Sequence, residues 1–447
     1  MKLNKFLSLI LLLFPLTSVA SFRDATTLYE KGLYEEAFNE YYQLAKIGHK
    51  DSQFNVGVMY FEGVGVDKDP LKAYAWVKLS DEDKLAEKVF LEEIRQEITK
   101  EQPLIDEFYE SLKSKYGNDA IAEAYQPVIV DDKKETVSPK AIKQKPAKYP
   151  INARVKGYTG WVLFDFNLSP GGYPTDIKVV DSFPKDLFVK SAFKAVKNWR
   201  FEPLNTSERF TYKMEFMLLD GNSDYKAKYK SLMEIKEKAL KGDPSSQYLH
   251  ARYGDYNIED NKNFSSSSWY YEAARNGVLN AQFELAERLL DGDGCEKDPD
   301  KAINWLKASA NSGFALSQFE LAKMSFTNGD AEKGELLLKK AITNSLEVSS
   351  LDAETTRYDI VDYIYNNQLN NIKPELILQL LEHIGRYTIK NPVNYYQYYS
   401  NVYKSLGDYE EALDYQEDAI EELEDLGEEN IPQYMLENLA YLESKVD

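Results

Sequence analysis

The chain has 447 residues, of which 43% are hydrophobic and 29% charged; this balance suits a folded chain of about three domains and excludes wholesale disorder. Lys and Arg number 54 against 74 Asp and Glu, a net charge of −20, so no nucleic-acid partner is expected without a local basic patch. With one cysteine, Cys295, and three scattered histidines, His49, His250 and His383, neither a disulfide framework nor a Cys- or His-rich metal site is expected.

The N-terminus places Lys2 and Lys5 before an apolar stretch from Phe6 to Phe14, then Pro15 and the small-x-small run Ser18-Val19-Ala20. This is the pattern of a secretory signal peptide over residues 1–20. A retained anchor is the rival reading, and with it a membrane association; a spanning helix needs about 20 apolar residues, and Pro15, Thr17 and Ser18 cut this stretch short.

Residues 21–80 read as a helical hairpin. Ala45 and Gly48 end one helix, Ser52-Gln53-Phe54 and Gly57 lie in the next, Gly63-x-Gly65 turns the chain, and Asp69-Pro70 restarts it with Asp as N-cap and Pro in the first turn. Residues 81–125 read as a helical extension. Ser80 or Asp81 is expected to cap its first helix, with Leu85, Val89 and Ile98 inward; Pro103 separates a second helix with Leu104, Phe108 and Leu112 inward. Residues 126–146, with Pro127, Pro139, Pro146 and many charges, read as a linker.

The periodicity then changes to two. Val162, Phe164, Phe166 and Leu168 alternate with Trp161, Leu163, Asp165 and Asn167, a half-buried strand; Ser169-Pro170-Gly171-Gly172 turns it, and Ile177 and Val179 mark its hairpin partner. Phe188, Ala192, Ala195, Val196 and Trp199 recur at helical spacing, and Phe210, Tyr212, Met214, Phe216 and Leu218 mark a third strand. The expected unit is a helix packed on a three-stranded sheet. From Ser138 to Asp220 there are 14 Lys/Arg and 8 Asp/Glu, net +6, leaving −26 for the remainder. Lys190, Lys194 and Lys197 form a basic stripe opposite the apolar face, read as a solvated face, as a dock against the chain's own acidic repeats or as a dock for an acidic partner.

Tyr149-Pro150-x-x-Ala153, Gly157, Gly160-x-Val162, Gly172 and Ala192-x-x-Ala195-Val196-x-x-Trp199-Arg200-Phe201-x-Pro203 resemble the C-terminal domain of the TonB family over residues 147–220. The resemblance implies a periplasmic domain of Gram-negative bacteria that recruits a peptide of an outer-membrane receptor as an added strand. It assigns the recruiting role to the last strand, with Thr211, Lys213, Glu215 and Met217 facing outward, and possible partner contacts to Tyr149 and Pro150. The alternative for Lys213 and Glu215 is a guarded edge that resists aggregation. Trp161, Trp199, Phe201 and Pro203 read as core and framework.

Beyond the island, Ala274-Arg275-Asn276-Gly277 and Gln282-Phe283-Glu284-Leu285-Ala286 recur 36 residues later as Ala310-Asn311-Ser312-Gly313 and Gln318-Phe319-Glu320-Leu321-Ala322. Gln247 stands 35 residues before Gln282 in a degenerate copy, and Gly292-x-Gly294 with Asp298-Pro299 repeats the loop and restart of the N-terminal copy. This combination resembles Sel-one-like repeats, a variant of the tetratricopeptide repeat, over residues 21–80 and 225–345. One hairpin cannot bury its apolar face alone, so the copies must stack. In the C-terminal helical region, 346–447, Tyr396, Tyr399, Ser400, Tyr403, Gly407, Ala412 and Ala419 fall at tetratricopeptide spacing, and residues 408–429 carry twelve Asp/Glu and no Lys or Arg.

The fold class expected is therefore multidomain α+β: a helical repeat solenoid flanking a small three-stranded TonB C-terminal-like domain. No catalytic constellation is found, and no metal or cofactor is expected. Asp291-Gly292-Asp293-Gly294 falls short of a calcium loop because Cys295 stands where an oxygen ligand is needed. The expected function is a periplasmic adaptor that holds one protein or peptide on its repeats and another on its sheet edge. The alternative is an energy transducer or transport accessory retained at the inner membrane and facing the periplasm.

Overall fold

The computed structural model describes residues 22–81, 85–98, 102–130, 140–183, 187–202, 210–217, 225–255, 264–385, 389, 391–425 and 431–446. The apolar leader, Pro203 and Leu218 lie outside them. No helix of the described residues is long and apolar enough to cross a membrane.

Seven helices come first: α1 Phe22–Glu30, α2 Tyr34–Lys46, α3 Lys50–Glu62, α4 Pro70–Asp81, α5 Leu85–Glu97, α6 Gln102–Tyr116 and α7 Asn118–Tyr125. The island follows with β1 Ala141–Lys143, α8 Ile151–Val155, β2 Gly160–Leu168, β3 Pro174–Phe183, α9 Val189–Val196, β4 Arg200–Phe201 and β5 Phe210–Phe216. Helical hairpins then resume as α10 Tyr225–Leu240, α11 Pro244–Asp255, α12 Ser266–Arg275, α13 Leu279–Asp291, α14 Pro299–Asn311, α15 Ala315–Thr327 and α16 Ala331–Leu346. They end with α17 Leu351–Asn366, α18 Pro374–Glu382, α19 Pro392–Leu406, α20 Tyr409–Asp425 and α21 Gln433–Val446. The fold is the expected one, a helical repeat solenoid around a small α+β unit.

The repeated glutamine has a physical task. A helix ends with carbonyls that lack an intrahelical partner. In each copy the amide of the glutamine in the next helix donates to such a carbonyl eight residues back: Gln53 to Ala45 at 3.1 Å, Gln282 to Ala274 at 3.0 Å, and Gln318 to Ala310 at 2.9 Å. The degenerate copy keeps the contact at 3.5 Å, Gln247 to Ala239. The alanines are fully or nearly fully buried, so the neighbouring helices close over the bond. Asp69 and Asp298 cap the restart helices by accepting from the amides of Lys72 and Lys301 at 3.0 and 3.1 Å. Gly65 has φ +70, and a Cβ there would fall 2.2 Å from the Tyr34 carbonyl oxygen, so only glycine fits that loop.

The two runs of helices are one stack. Ile121 of α7 lies against Gly48, Asn304 donates to the Ala124 carbonyl at 3.1 Å, and the amide of Glu296 donates to the Val128 carbonyl at 2.8 Å. Leu44 and Ile47 share a buried cluster with Tyr270, Leu285 and Trp305. The α+β unit is thus inserted between helices that pack together across it.

Several expectations are corrected. Ser80 and Asp81 end α4 instead of capping α5. Val89 is 64% exposed and Leu104 50% exposed, while Leu91, Ile94, Ile98, Ile105 and Tyr109 are buried. Ile98, Phe108 and Leu112 face inward as expected; Val89 and Leu104 do not, because the packing partners of α5 and α6 select the neighbouring positions. Pro103 sits in the first turn of α6, where its missing N–H costs nothing. The stretch read as a linker is built in at both ends. Val128 and Val130 pair with the loop of Gly294 to Glu296, and β1 pairs antiparallel with β4.

Candidate functional site

The island sheet has the order β3-β2-β5, all antiparallel. Along β2 and β5 the register pairs Gly160 with Phe216, Val162 with Met214, Phe164 with Tyr212 and Phe166 with Phe210. These side chains face α8 and α9, whose Ala153, Phe188, Ala192, Val196 and Trp199 complete a core with them. Trp199 is held by its indole N–H, which donates to the Lys145 carbonyl at 2.9 Å, and its ring meets Tyr212 edge-on at 4.8 Å. Trp199 and Phe201 are the framework residues expected.

The other register pairs are Trp161 with Glu215, Leu163 with Lys213 and Asp165 with Thr211. Thr211, Lys213 and Glu215 therefore face away from α9, as expected, but this face is not open along its length. Trp161 and Leu163 are 1% exposed and cluster with Ile235 of α10 and with Leu249 and Tyr253 of α11. The Trp161 and Tyr253 rings meet at 5.7 Å and 89°. The first half of β2 is thus buried on both faces, which corrects the half-buried strand of the sequence reading. The signal was present: Trp161 and Leu163 occupy the face that alternation assigned to solvent, and a strand apolar on both faces is one covered on both.

β5 is an edge strand. Among the described residues it pairs with β2 alone. In an antiparallel ladder alternate residues turn their N–H and C=O outward, so about three or four residues of β5 offer backbone groups to an added strand. Thr211, Glu215 and Met217 are exposed, Lys213 is half-buried, and the Lys213 ammonium lies 3.2 Å from the Glu215 carboxylate. That ion pair, about one-third exposed on each side, contributes little stability. It does hold two long side chains along the sheet face, clear of the backbone rim.

Tyr149 is half-buried at one end of this edge. Its ring sits 5.5 Å from Phe188 and 5.8 Å from Phe216, and its hydroxyl donates to the Tyr158 carbonyl. Pro150 caps α8 from an extended conformation. Both residues set where α8 begins, beside the last residue of β5. Lys190, Lys194 and Lys197 are exposed on α9 and lie on the far side of the domain from Thr211, Lys213 and Glu215.

Other candidates resolve into structure. Cys295 is 1% exposed, burial pushes its thiol up, and it bridges to Ile129. On α20 the acidic residues lie mainly on the exposed side, while Ala412, Gln416 and Ala419 are buried and Ser400 donates to the Ala412 carbonyl at 2.8 Å.

Comparison with known proteins agrees with this division of the chain. Residues 145–218 match the family model of the Gram-negative bacterial TonB protein C-terminal, and residues 50–80 and 279–314 match that of the Sel1 repeat. A curated relative from Rhizobium leguminosarum bv. viciae, described as an exopolysaccharide production negative regulator, is 25% identical over 190 residues, 36% of this chain and 69% of that protein. The TonB protein of Helicobacter pylori strain J99 is 35% identical over 89 residues, 20% of this chain. The chain thus spans 31% of the length of that TonB protein. Among solved structures, a Sel1 repeat protein from Oxalobacter formigenes aligns over 81% of this chain and 97% of its own, with 15% identity and a TM-score of 0.27.

Proposed function

We propose that the protein is an adaptor of the Gram-negative periplasm, with the helical repeats holding one protein partner and the outer edge of β5 taking up an extended peptide as an added strand. The observation that carries this reading is the unpaired outer side of Phe210–Phe216 in a sheet with one face covered by α8 and α9 and the other covered by α10 and α11 around Trp161 and Leu163. A backbone rim is what such a sheet has left to offer, and strand addition is the recognition mode that uses a rim. The similarity of residues 145–218 to the TonB C-terminal domain supports an envelope setting and a partner such as an outer-membrane receptor peptide. The repeat matches support protein binding by the solenoid. The reading includes no catalysis, in keeping with the non-catalytic character of both matched families.

One observation favours the transducer as a second reading, the sequence similarity to whole TonB proteins. The fixed seat of the sheet on α10 and α11 weighs against it, because force transmission from a distant anchor is better served by a domain at the end of a free tether.

Photocrosslinking in living cells tests the adaptor. A crosslinker at Thr211 or Glu215 is expected to trap a discrete partner, and one at Lys178 on the opposite edge strand is not. Equal capture from both strands, or none from either, would remove the β5 edge as the recruiting site.

A further inference from the structure

We infer that the helix layer of the island is a seat for an anionic phospholipid surface, gripped by a cationic helix face and a pair of exposed aliphatic side chains. This does not depend on strand addition, which uses the edge of the sheet and not its helix layer.

The first observation is charge segregation. Residues 140–160 and 187–201 hold ten Lys/Arg and no Asp/Glu in a chain of net charge −20, and all ten are exposed; Glu202, the next residue, pairs with Lys140 at 2.8 Å, which leaves nine for this face. The fold gathers them. Lys143 lies in β1, paired across from Arg200 in β4. The Lys145 carbonyl accepts from Trp199 at 2.9 Å, and the Lys148 carbonyl accepts from the hydroxyl of Ser191. Segment 140–148 is therefore laid along α9, and its cations join the stripe of Lys190, Lys194 and Lys197.

The second observation is apolar. Ile151 and Val155 stand one turn apart on α8 and are 71% and 79% exposed, while Ala153 between them is fully buried in the core that also holds Phe188 and Ala192. Two aliphatic side chains turned out of a helix that buries its other side are left without cover. Arg154 and Lys156 flank them.

The third observation is orientation. Ala153 of α8 and Ala192 of α9 pack on the same sheet face, that of Val162 and Phe164, so the opposite sides of both helices point away from the sheet together. The other sheet face is occupied by the solenoid through Trp161, Leu163 and Tyr253. The layers run solenoid, sheet, helices, and the cationic and aliphatic groups form the outermost surface, turned from the acidic remainder of the chain. Lysines around protruding aliphatic groups are how a peripheral protein meets anionic headgroups: the ammonium groups meet phosphates and the aliphatic tips enter the acyl boundary. A purely ionic contact with an acidic protein would use the lysines without Ile151 and Val155.

The test is co-sedimentation of the chain from Ser21, which holds every described residue, with vesicles of phosphatidylglycerol and phosphatidylethanolamine or of phosphatidylcholine alone. Binding is expected to the first and not to the second, and to fall with added salt. Lys190→Glu/Lys194→Glu/Lys197→Glu should lower it by about tenfold or more. Ile151→Ser/Val155→Ser should lower it several-fold without altering the salt dependence. The paired control Lys307→Glu/Lys340→Glu on the solenoid should leave it unchanged, and all seven positions are exposed, so the variants should keep the thermal melt of the parent. The proposal is overturned if the parent ignores anionic vesicles, or if the aliphatic pair has no effect, which would give the lysines to an acidic protein. Salt-sensitive self-association of the chain without vesicle binding would overturn it too, assigning the lysines to the acidic α20 of a second copy.

Discussion

The indole N–H of Trp305 donates to the backbone carbonyl of Tyr125 at 2.9 Å, and the two rings meet at 4.8 Å, although 180 positions separate them. The last turn of α7 thereby occupies the place beside α14 that a preceding repeat helix would take. The Asn304 amide repeats the bond one residue back. Whatever the inserted domain binds, it is held at both ends on a continuous helical frame.

Trp305→Ala should break that frame. It removes a fully buried indole and takes the side-chain donor from the Tyr125 carbonyl, a loss of about 3–5 kcal/mol. A single thermal transition is expected to split or fall, and residues 126–148 should become sensitive to protease. Trp305→Phe, which keeps most of the volume and loses the donor, should cost about 1–2 kcal/mol.

The glutamine clamps make a ranked prediction. Gln282→Leu and Gln318→Leu each remove the side-chain donor from a buried helix-end carbonyl that keeps its backbone donor, Gly277 or Gly313, and should cost about 0.5–1.5 kcal/mol in urea unfolding. Gln247→Leu, whose contact is longer at 3.5 Å, should cost less than either. Equal costs at all three positions would mean that packing, and not the hydrogen bond, sets the repeat.

Tyr253→Ala with Ile235→Ala should free the sheet from the solenoid while sparing the island core, since neither residue belongs to the cluster around Phe164 and Trp199. The radius of gyration from small-angle scattering should rise. An unchanged radius would show that the paired termini of the insertion alone fix its orientation.

Two half-buried carboxyls set a pH dependence. Burial pushes Glu40 up to about 7, with Asp24 adding repulsion, and burial pushes Glu287 up to about 7, with Glu320 next in effect and Lys323 opposing. An acid whose folded pKa stands above its unfolded value near 4.5 binds its proton more tightly in the folded state. Its contribution is complete below that unfolded value and is lost as the pH rises through about 7. Lower melting temperatures are expected at pH ~8 than at pH ~5.5. Glu40→Gln/Glu287→Gln should flatten the slope by about 1–2 kcal/mol per site.

Much of this was legible in the residues. The spacing of Ala274, Gly277 and Gln282 encodes the hairpin because one hydrogen bond, made locally, requires it. The alternation from Val162 to Leu168 encodes a strand because one face meets α9. What escaped was set by contacts between distant parts. Val89 looked as apolar as Leu91, and only the neighbouring helices decide which is buried. The partnership of Tyr125 with Trp305 has no local signature, and that of Trp161 with Tyr253 left only a tryptophan on a face expected to be polar.

The open edge is tested most directly by amide hydrogen exchange along Phe210–Phe216, in the free chain and with its crosslink-identified partner bound. The account predicts alternation in the free chain, with amides facing β2 protected and those between them exchanging quickly, and protection of the fast set on binding. Uniform protection of the strand before any partner is added, or binding that leaves the fast amides fast, would contradict it.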